Sequence, residues 1–316
     1  MFKVVFFFLV LFTGNLVAQN LKLEGKILDS RTKKGIPFAN LIFENVKIGT
    51  SADIEGGFKF AINSNLKTET VLVSCVGYEE RSLKASELEG RTIFLNQKTD
   101  VLSEVMIYKM NLSKKKRINP FRGKQTVGLG NFSGGAYPSA LARYYERPKG
   151  FKNGCFLNGI EIQFFKVLGQ SSQAATFRLR ILNVLEDGKP GVDLLESDII
   201  LKKPEGSRKL NLDLSTYKLN IPEEGFFVSV EHIFIEDNKF TEAYTIKVND
   251  SVGYKNYLVD RYAPIFKGIE TTANDAETRC FYKSIHGWKP INLLDTQESV
   301  LKGNLPAPAF KILVTD

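Results

Sequence analysis

Residues 49–62 read Gly49-Thr50-Ser51-Ala52-Asp53-Ile54-Glu55-Gly56-Gly57-Phe58-Lys59-Phe60-Ala61-Ile62. Glu55-Gly56-Gly57 supplies the positive φ that a tight turn requires. Phe58, Phe60 and Ile62 then alternate with Lys59 and Ala61, the period of a strand with one buried face. A strand, a hairpin turn and a second strand are therefore expected. Working outward, Leu21, Leu23, Gly25 and Ile27 alternate with Lys22, Glu24 and Lys26, and a polar turn follows over residues 29–35. Residues 37–43, 71–76 and 91–95 read as further strands, and Gly77-Tyr78 closes the apolar run before it. Only residues 85–89 could hold a helical turn. Some six or seven short strands in about ninety residues, with turns between them, predict a small β-sandwich.

Four stretches carry a family resemblance. They are Leu23-Glu24-Gly25-Lys26-Ile27-Leu28-Asp29, Gly35-Ile36-Pro37-Phe38-Ala39-Asn40-Leu41, residues 49–58, and Val76-Gly77-Tyr78. In this order they resemble the carboxypeptidase regulatory-like domain, and Val101-Leu102-Ser103-Glu104-Val105-Met106-Ile107 looks like its tail. The resemblance covers residues 20–108. It implies a seven-stranded transthyretin-like sandwich, common in cell-envelope proteins of the Bacteroidetes and often found ahead of TonB-dependent outer-membrane receptors. In metallocarboxypeptidases the module is an accessory without a catalytic group, so the resemblance implies no peptidase activity here. Asp53 and Glu55 hint at a calcium loop but lack its further oxygen ligands, and a plain hairpin turn is the expectation.

Residues 125–316 also read as strands. Ile160, Ile162 and Phe164 alternate with Glu161 and Gln163, and Phe177, Leu179 and Ile181 with Arg178 and Arg180. Phe226, Val228, Val230, His232 and Phe234 share a face of the strongest strand. Residues 209–214, 244–248, 279–282 and 310–314 follow, and residues 186–191 form a turn cluster. Almost no helical period appears, so a second, larger antiparallel sandwich is expected. Residues 177–191 look like a jelly-roll segment of bacterial surface proteins, an analogy at the level of fold alone. The predicted fold class is thus all-β, with a transthyretin-like sandwich followed by a jelly-roll-like one.

The chain has 316 residues and a net charge of +8. That charge is local. Residues 20–108 hold 12 basic and 12 acidic residues, residues 125–316 hold 23 of each, and residues 109–124 hold seven basic residues and no acidic one. A basic linker between two balanced bodies is expected, not the basic face of a nucleic-acid-binding domain. Lys114, Lys115, Lys116 and Arg117 are candidate contacts to an anionic surface such as lipid head groups or an acidic polysaccharide.

Lys3 followed by nine apolar residues at 4–12, a break at Thr13-Gly14-Asn15 and a small residue at Ala18 predict a signal peptide over residues 1–19, cleaved near Ala18-Gln19. No Cys lies near that site, so an N-terminal lipid anchor is not expected. Cys75 lies in an apolar run and reads as a small core residue, while Cys155 and Cys280 could pair but need not. The five Cys and His residues are nowhere closer than six positions, which argues against zinc. No nucleophile elbow, zinc-protease or phosphate-loop motif is present, so neither a catalytic nor a cofactor site is assigned. A carboxylate pair of a glycosidase could still be formed by the fold.

These readings predict an exported, non-enzymatic cell-envelope protein with a structural, adhesive or glycan-binding role. The partners expected are a glycan or another envelope protein, and no nucleic acid. The alternatives are a carbohydrate-active or peptide-cleaving hydrolase, and an accessory subunit of a TonB-dependent uptake system. Candidate ligand-binding residues are Trp288, the single tryptophan, with His286 and Lys289 in a turn-like stretch, and Tyr144-Tyr145. Exposed aromatics stack on the apolar C–H faces of sugars. Trp288 could equally pack over a sandwich edge and fix a loop.

Overall fold

The computed structural model describes residues 20–98, 110–131, 136–151, 154–166, 173–195, 198–249, 253–293 and 304–316. The expected signal peptide and the expected domain tail at 101–107 lie outside these residues. The chain is nearly all β, as its alternating patterns predict.

The first sandwich contains β1 (Asn20–Asp29), β2 (Asn40–Phe43), β3 (Ile48–Ser51), β4 (Gly57–Asn63), β5 (Thr70–Ser74), β6 (Arg81–Lys84) and β7 (Arg91–Leu95). Sheet β4-β1-β7 faces sheet β3-β2-β5-β6. Leu23, Ile27, Leu41, Phe43, Phe58, Val71, Val73 and Ile93 fill the space between them. The turn at 53–57 forms as read: the Asp53 carboxylate accepts the N–H groups of Glu55 and Gly57 at 2.8 and 2.7 Å. Gly56 has φ 76°, and a Cβ there would meet Ile27 O at 2.4 Å. Asp29, at the end of β1, accepts from Arg31 N, Thr32 N, Tyr78 Oη and Gln97 Nε2. The Thr32 N–H, the strongest influence, holds its carboxyl down at about 2.

The second sandwich comprises β8 (Lys115–Ile118), β9 (Thr126–Leu129), β10 (Ala140–Tyr145), β11 (Phe156–Gln163), β12 (Ala175–Val184), β13 (Pro190–Asp193), β14 (Ile199–Lys203), β15 (Lys209–Asp213) and β16 (Phe226–His232). It continues through β17 (Lys239–Asn249), β18 (Gly253–Tyr262), β19 (Phe266–Thr271), α1 (Ala273–Arg279), β20 (Cys280–Ser284), β21 (Gly287–Pro290), β22 (Leu305–Pro308) and β23 (Lys311–Thr315). A seven-stranded sheet, β13-β12-β16-β10-β20-β21 with β14 beside β12, packs against sheets β15-β11-β23-β8 and β22-β19-β9. Phe177, Leu179, Ile181, Phe226, Val228, Val230, Ile160, Ile312 and Phe266 form its core. β17 and β18 pair only with each other among the described strands.

One expectation changes here. The basic segment is not simply a connector, because Lys115–Ile118 is an edge strand paired with β23, and Ile118 packs on the core. Charged side chains suit an edge strand, whose outer flank remains in water. The candidate anionic-surface residues Lys115, Lys116 and Arg117 therefore belong to the second sandwich, and Lys114 Nζ donates to Gly150 O at 2.7 Å. The cysteines are all free, and Cys280 Sγ lies 3.5 Å from Arg143 Nη1.

The two sandwiches are joined by buried polar groups. Arg178 and Glu231 oppose each other on β12 and β16 and form an ion pair. Arg178 also reaches Asp198 at 2.7 Å and donates to Phe38 O of the first sandwich at 3.1 Å. Asn40 Nδ2 donates to Glu231 Oε1 at 2.8 Å. Burial opposes ionisation of Glu231, but Arg178, Arg180 and the Asn40 bond outweigh it and hold the carboxyl below its ordinary range. The open edge of β3 is covered as well. Gly49 N donates to Ala136 O at 2.8 Å, Ser51 N to Phe234 O at 3.1 Å, and Phe234 N to Ser51 Oγ at 3.0 Å. The two bodies meet in a hydrogen-bonded joint.

Glu231→Ala would leave the Arg178 charge buried without its partner, at a cost of about 3–5 kcal/mol. In urea, fluorescence of Trp288 reports the second sandwich and far-UV circular dichroism reports both. The two transitions are expected to coincide in the wild type and to separate in Glu231→Ala. Coincidence in both proteins would mean that the joint does not couple the sandwiches.

His232 is fully buried, and its Nε2 donates to Pro264 O at 3.1 Å. Burial holds the imidazole down at about 4, against an ordinary 6.5. Between pH 6.5 and 4 the unfolded chain takes up a proton that the folded protein refuses, so stability falls as pH drops through that window. At ~1.4 kcal/mol per unit the loss approaches roughly 3 kcal/mol. His232→Gln should show a shallower acid-side decline in denaturant melts. An equal decline would assign the effect to other groups.

Candidate functional site

The predicted ligand residues separate once folded. Adjacent residues of a strand point to opposite faces. Tyr145 accordingly lies in the core, where its hydroxyl donates to Phe310 O at 2.6 Å and accepts from Phe310 N at 2.8 Å. Tyr145 is no ligand contact. Tyr144 lies on the outer face of the seven-stranded sheet, half-buried against Phe227, with its hydroxyl on Glu224 O at 2.8 Å. Trp288 is on the same face, on edge strand β21 and not in a turn, opposite Lys283. It packs against the outer-face cluster that contains Phe281, and Lys283 Nζ stands 5.5 Å from its ring centroid. His286 is exposed in the turn before β21, and Lys289 is half-buried beside Tyr282. Tyr144 and Trp288 thus rim one apolar cluster, which favours the packing role for Trp288.

A concave site lies elsewhere, in a cleft of about 1120 Å³ between the sandwiches. One wall is the outward face of β4-β1-β7. Lys22 opposes Ala61 there, Glu24 opposes Lys59, and Lys26 opposes Gly57, with Thr92 beside Lys26 on the same face, and Arg91, at the start of β7, also lines the cleft. Polar residues alternate with core residues along β1, so this face is built by the same pattern that builds the core. The back is β3 with Ala136, and the other wall is Phe234, Ile235, Glu236 and the base of the β17–β18 hairpin. That base is tightly organised. The Tyr262 ring stacks on Phe234 with centroids 3.7 Å apart and planes 11° from parallel. Lys239 Nζ meets Asp260 at 3.0 Å, and Thr241 Oγ1 donates to the same carboxylate at 3.0 Å. The Lys239 bond comes first in holding Asp260 below its ordinary range, and burial raises Tyr262. Asn238 anchors the wall to β12 through Thr176 N and Thr176 O.

The cleft therefore offers an aromatic face fixed before any ligand arrives, with charged and hydroxyl groups around it. This is the composition of a site for a polar ligand with apolar faces. The alternation of residues 21–27 exposes Lys22, Glu24 and Lys26 in sequence. Tyr262 is missed, because its role depends on meeting Phe234, 28 positions earlier. Among the described residues, no group of three His, Cys, Asp or Glu side chains converges as metal ligands would.

The strand order, the turn and this face belong to a known module. Residues 23–107 are a CarboxypepD_reg-like domain. The CarboxypepD_reg-like domain supplies one wall of the cleft, and the remainder of the chain supplies the other. No curated protein matches the chain. Among solved structures it is similar to the cysteine protease and lectin-like domains of Cwp84, a surface layer associated protein of Clostridium difficile. That match is 10% identical with TM-score 0.36, and it covers 88% of this chain and 58% of that one. A candidate carbohydrate binding protein from Bacteroides uniformis is 10% identical with TM-score 0.19, covering 77% of this chain and 98% of that one. The chain thus spans little more than half the length of the first. Neither likeness is close enough to transfer a ligand.

Because Trp288 is half-buried against the outer-face cluster, Trp288→Ala is expected to cost about 1–3 kcal/mol, below the range for a fully buried aromatic. A lowered Tm with intact ligand binding is the expected result. An unchanged Tm would return Trp288 to the list of ligand contacts.

Proposed function

We propose that the protein is an exported, non-enzymatic component of the bacterial cell envelope that binds a glycan in the cleft between its two sandwiches. The observation that carries this reading is the Tyr262 platform, held by its stack on Phe234 and flanked by the Lys239–Asp260 pair. Sugar rings present C–H faces that stack on such an aromatic, while the flanking polar groups take the hydroxyls. The apolar run at 4–12 supports export. The CarboxypepD_reg-like domain supports an envelope setting, since the family lends accessory modules and carries no catalytic group. The hydrogen-bonded joint supports a binding role, because a site shared by two domains keeps its shape only if they are held to each other.

A glycan array probed with the full chain and with Tyr262→Ala tests the reading. Loss of the stacking ring should weaken a bound glycan about tenfold. Glycan binding that Tyr262→Ala leaves untouched would move the site out of the cleft. Release of sugar or peptide fragments in a hydrolase screen would replace the binding role with an enzymatic one.

A further inference from the structure

We infer that the cleft selects an anionic glycan, a polyuronate-like chain whose carboxylates lie along β1. This rests on the reading of the cleft as a glycan site and adds the chemical class of the ligand. Four cations line the first-domain wall: Lys22, Lys26, Lys59 and Arg91. All four side chains are exposed, and among the described residues none of them forms an ion pair. Two carboxylates share that wall. Asp53 keeps its charge while accepting the N–H groups of its own turn, and Glu24 opposes Lys59, so this wall carries four cations against two carboxylates. Across the cleft, Lys239 and Asp260 neutralise each other, and Glu236 is the remaining charge.

The spacing suits a chain and not a single ion. Lys22 and Lys26 lie on one face of β1, four residues apart, or about 13 Å at ~3.3 Å per residue. Lys59 stands between them on the neighbouring strand, ~4.8 Å away, opposite Glu24. Charges at such intervals meet repeated carboxylates in turn, while Tyr262 on the facing wall takes a sugar ring. A cleft with low-dielectric walls focuses this field more than a flat surface would.

The test uses the full mature chain, polygalacturonate and a neutral dextran of similar length, with affinities measured by calorimetry at low and at physiological salt. Polygalacturonate is expected to bind at least tenfold more tightly than dextran and to weaken as salt screens the charges. Lys22→Glu combined with Lys59→Glu should reduce polygalacturonate binding about tenfold or more, with Tm unchanged because both side chains are exposed. Lys115→Glu combined with Arg117→Glu, on the edge strand β8, should leave it intact. Equal binding of both polymers, lost in Tyr262→Ala, would keep the glycan site and overturn the anionic class. Loss that follows Lys115 and Arg117 instead of Lys22 and Lys59 would overturn the assignment to the cleft. Binding of neither polymer, with a blank glycan array, would overturn both readings.

Discussion

A guanidinium group buried between two sandwiches is the constraint on which the rest of this structure depends. Arg178 is 1% exposed, and its donors are divided among Glu231, Asp198 and the Phe38 carbonyl. A charge in that position must be satisfied on every side, because solvent cannot reach it. One set of partners belongs to the second sandwich and another to the first. Removing the first would leave acceptor positions empty at the Arg178 end and Glu231 short of the Asn40 bond. Apolar surfaces alone would tolerate many docking angles, whereas this set of donors and acceptors is met in one.

That single docking angle brings β3 against Ala136 and Phe234, and Phe234 in turn supports Tyr262. A chain of contacts thus runs from the ion pair to the cleft wall. The sandwich cores are ordinary products of alternation; the cleft is a product of the joint. The CarboxypepD_reg-like domain contributes one wall of that cleft.

The parts legible in the sequence are those fixed by local chemistry. Asp53, Gly56 and Gly57 announce a turn because the side-chain oxygen, the missing Cβ and the backbone N–H groups that use them all lie within five residues. The strands with one buried face were legible for the same reason. Strand β6 was not, since Arg81, Ser82 and Lys84 are exposed and show no alternation. β13 and β21 carry Pro190 and Pro290 and read as turns, and β22, with Pro306 and Pro308, shows no strand alternation, yet all three lie at the edges of their sheets, where a missing N–H is tolerated. The helix α1 is only seven residues long, too short for a helical period, and begins at the Thr272 cap. The pair Tyr144-Tyr145 could have been split in advance, because neighbours on a strand never share a face. Nothing in the sequence places residues 22–26 opposite residues 234–262; that juxtaposition follows from Arg178 finding Phe38.

The pairing of β8 with β23 has a kinetic meaning. Lys116 opposes Val314, and the carboxylate of Asp316 accepts from Lys114 N at 2.8 Å and from Ser113 Oγ at 2.6 Å. These partners stand about two hundred residues apart in the chain, so the sheet that holds Ile160 and Ile312 stays open on one side until residues 311–316 are available. Loop closure of that length is slow, and folding rates fall as contacts become more distant in sequence. Synthesis can complete the first sandwich early, but the second must wait, with β11 presenting a bare edge in the meantime. The basic residues of β8, kept in solution until β23 arrives, are a strand least able to pair with a neighbouring chain during that interval.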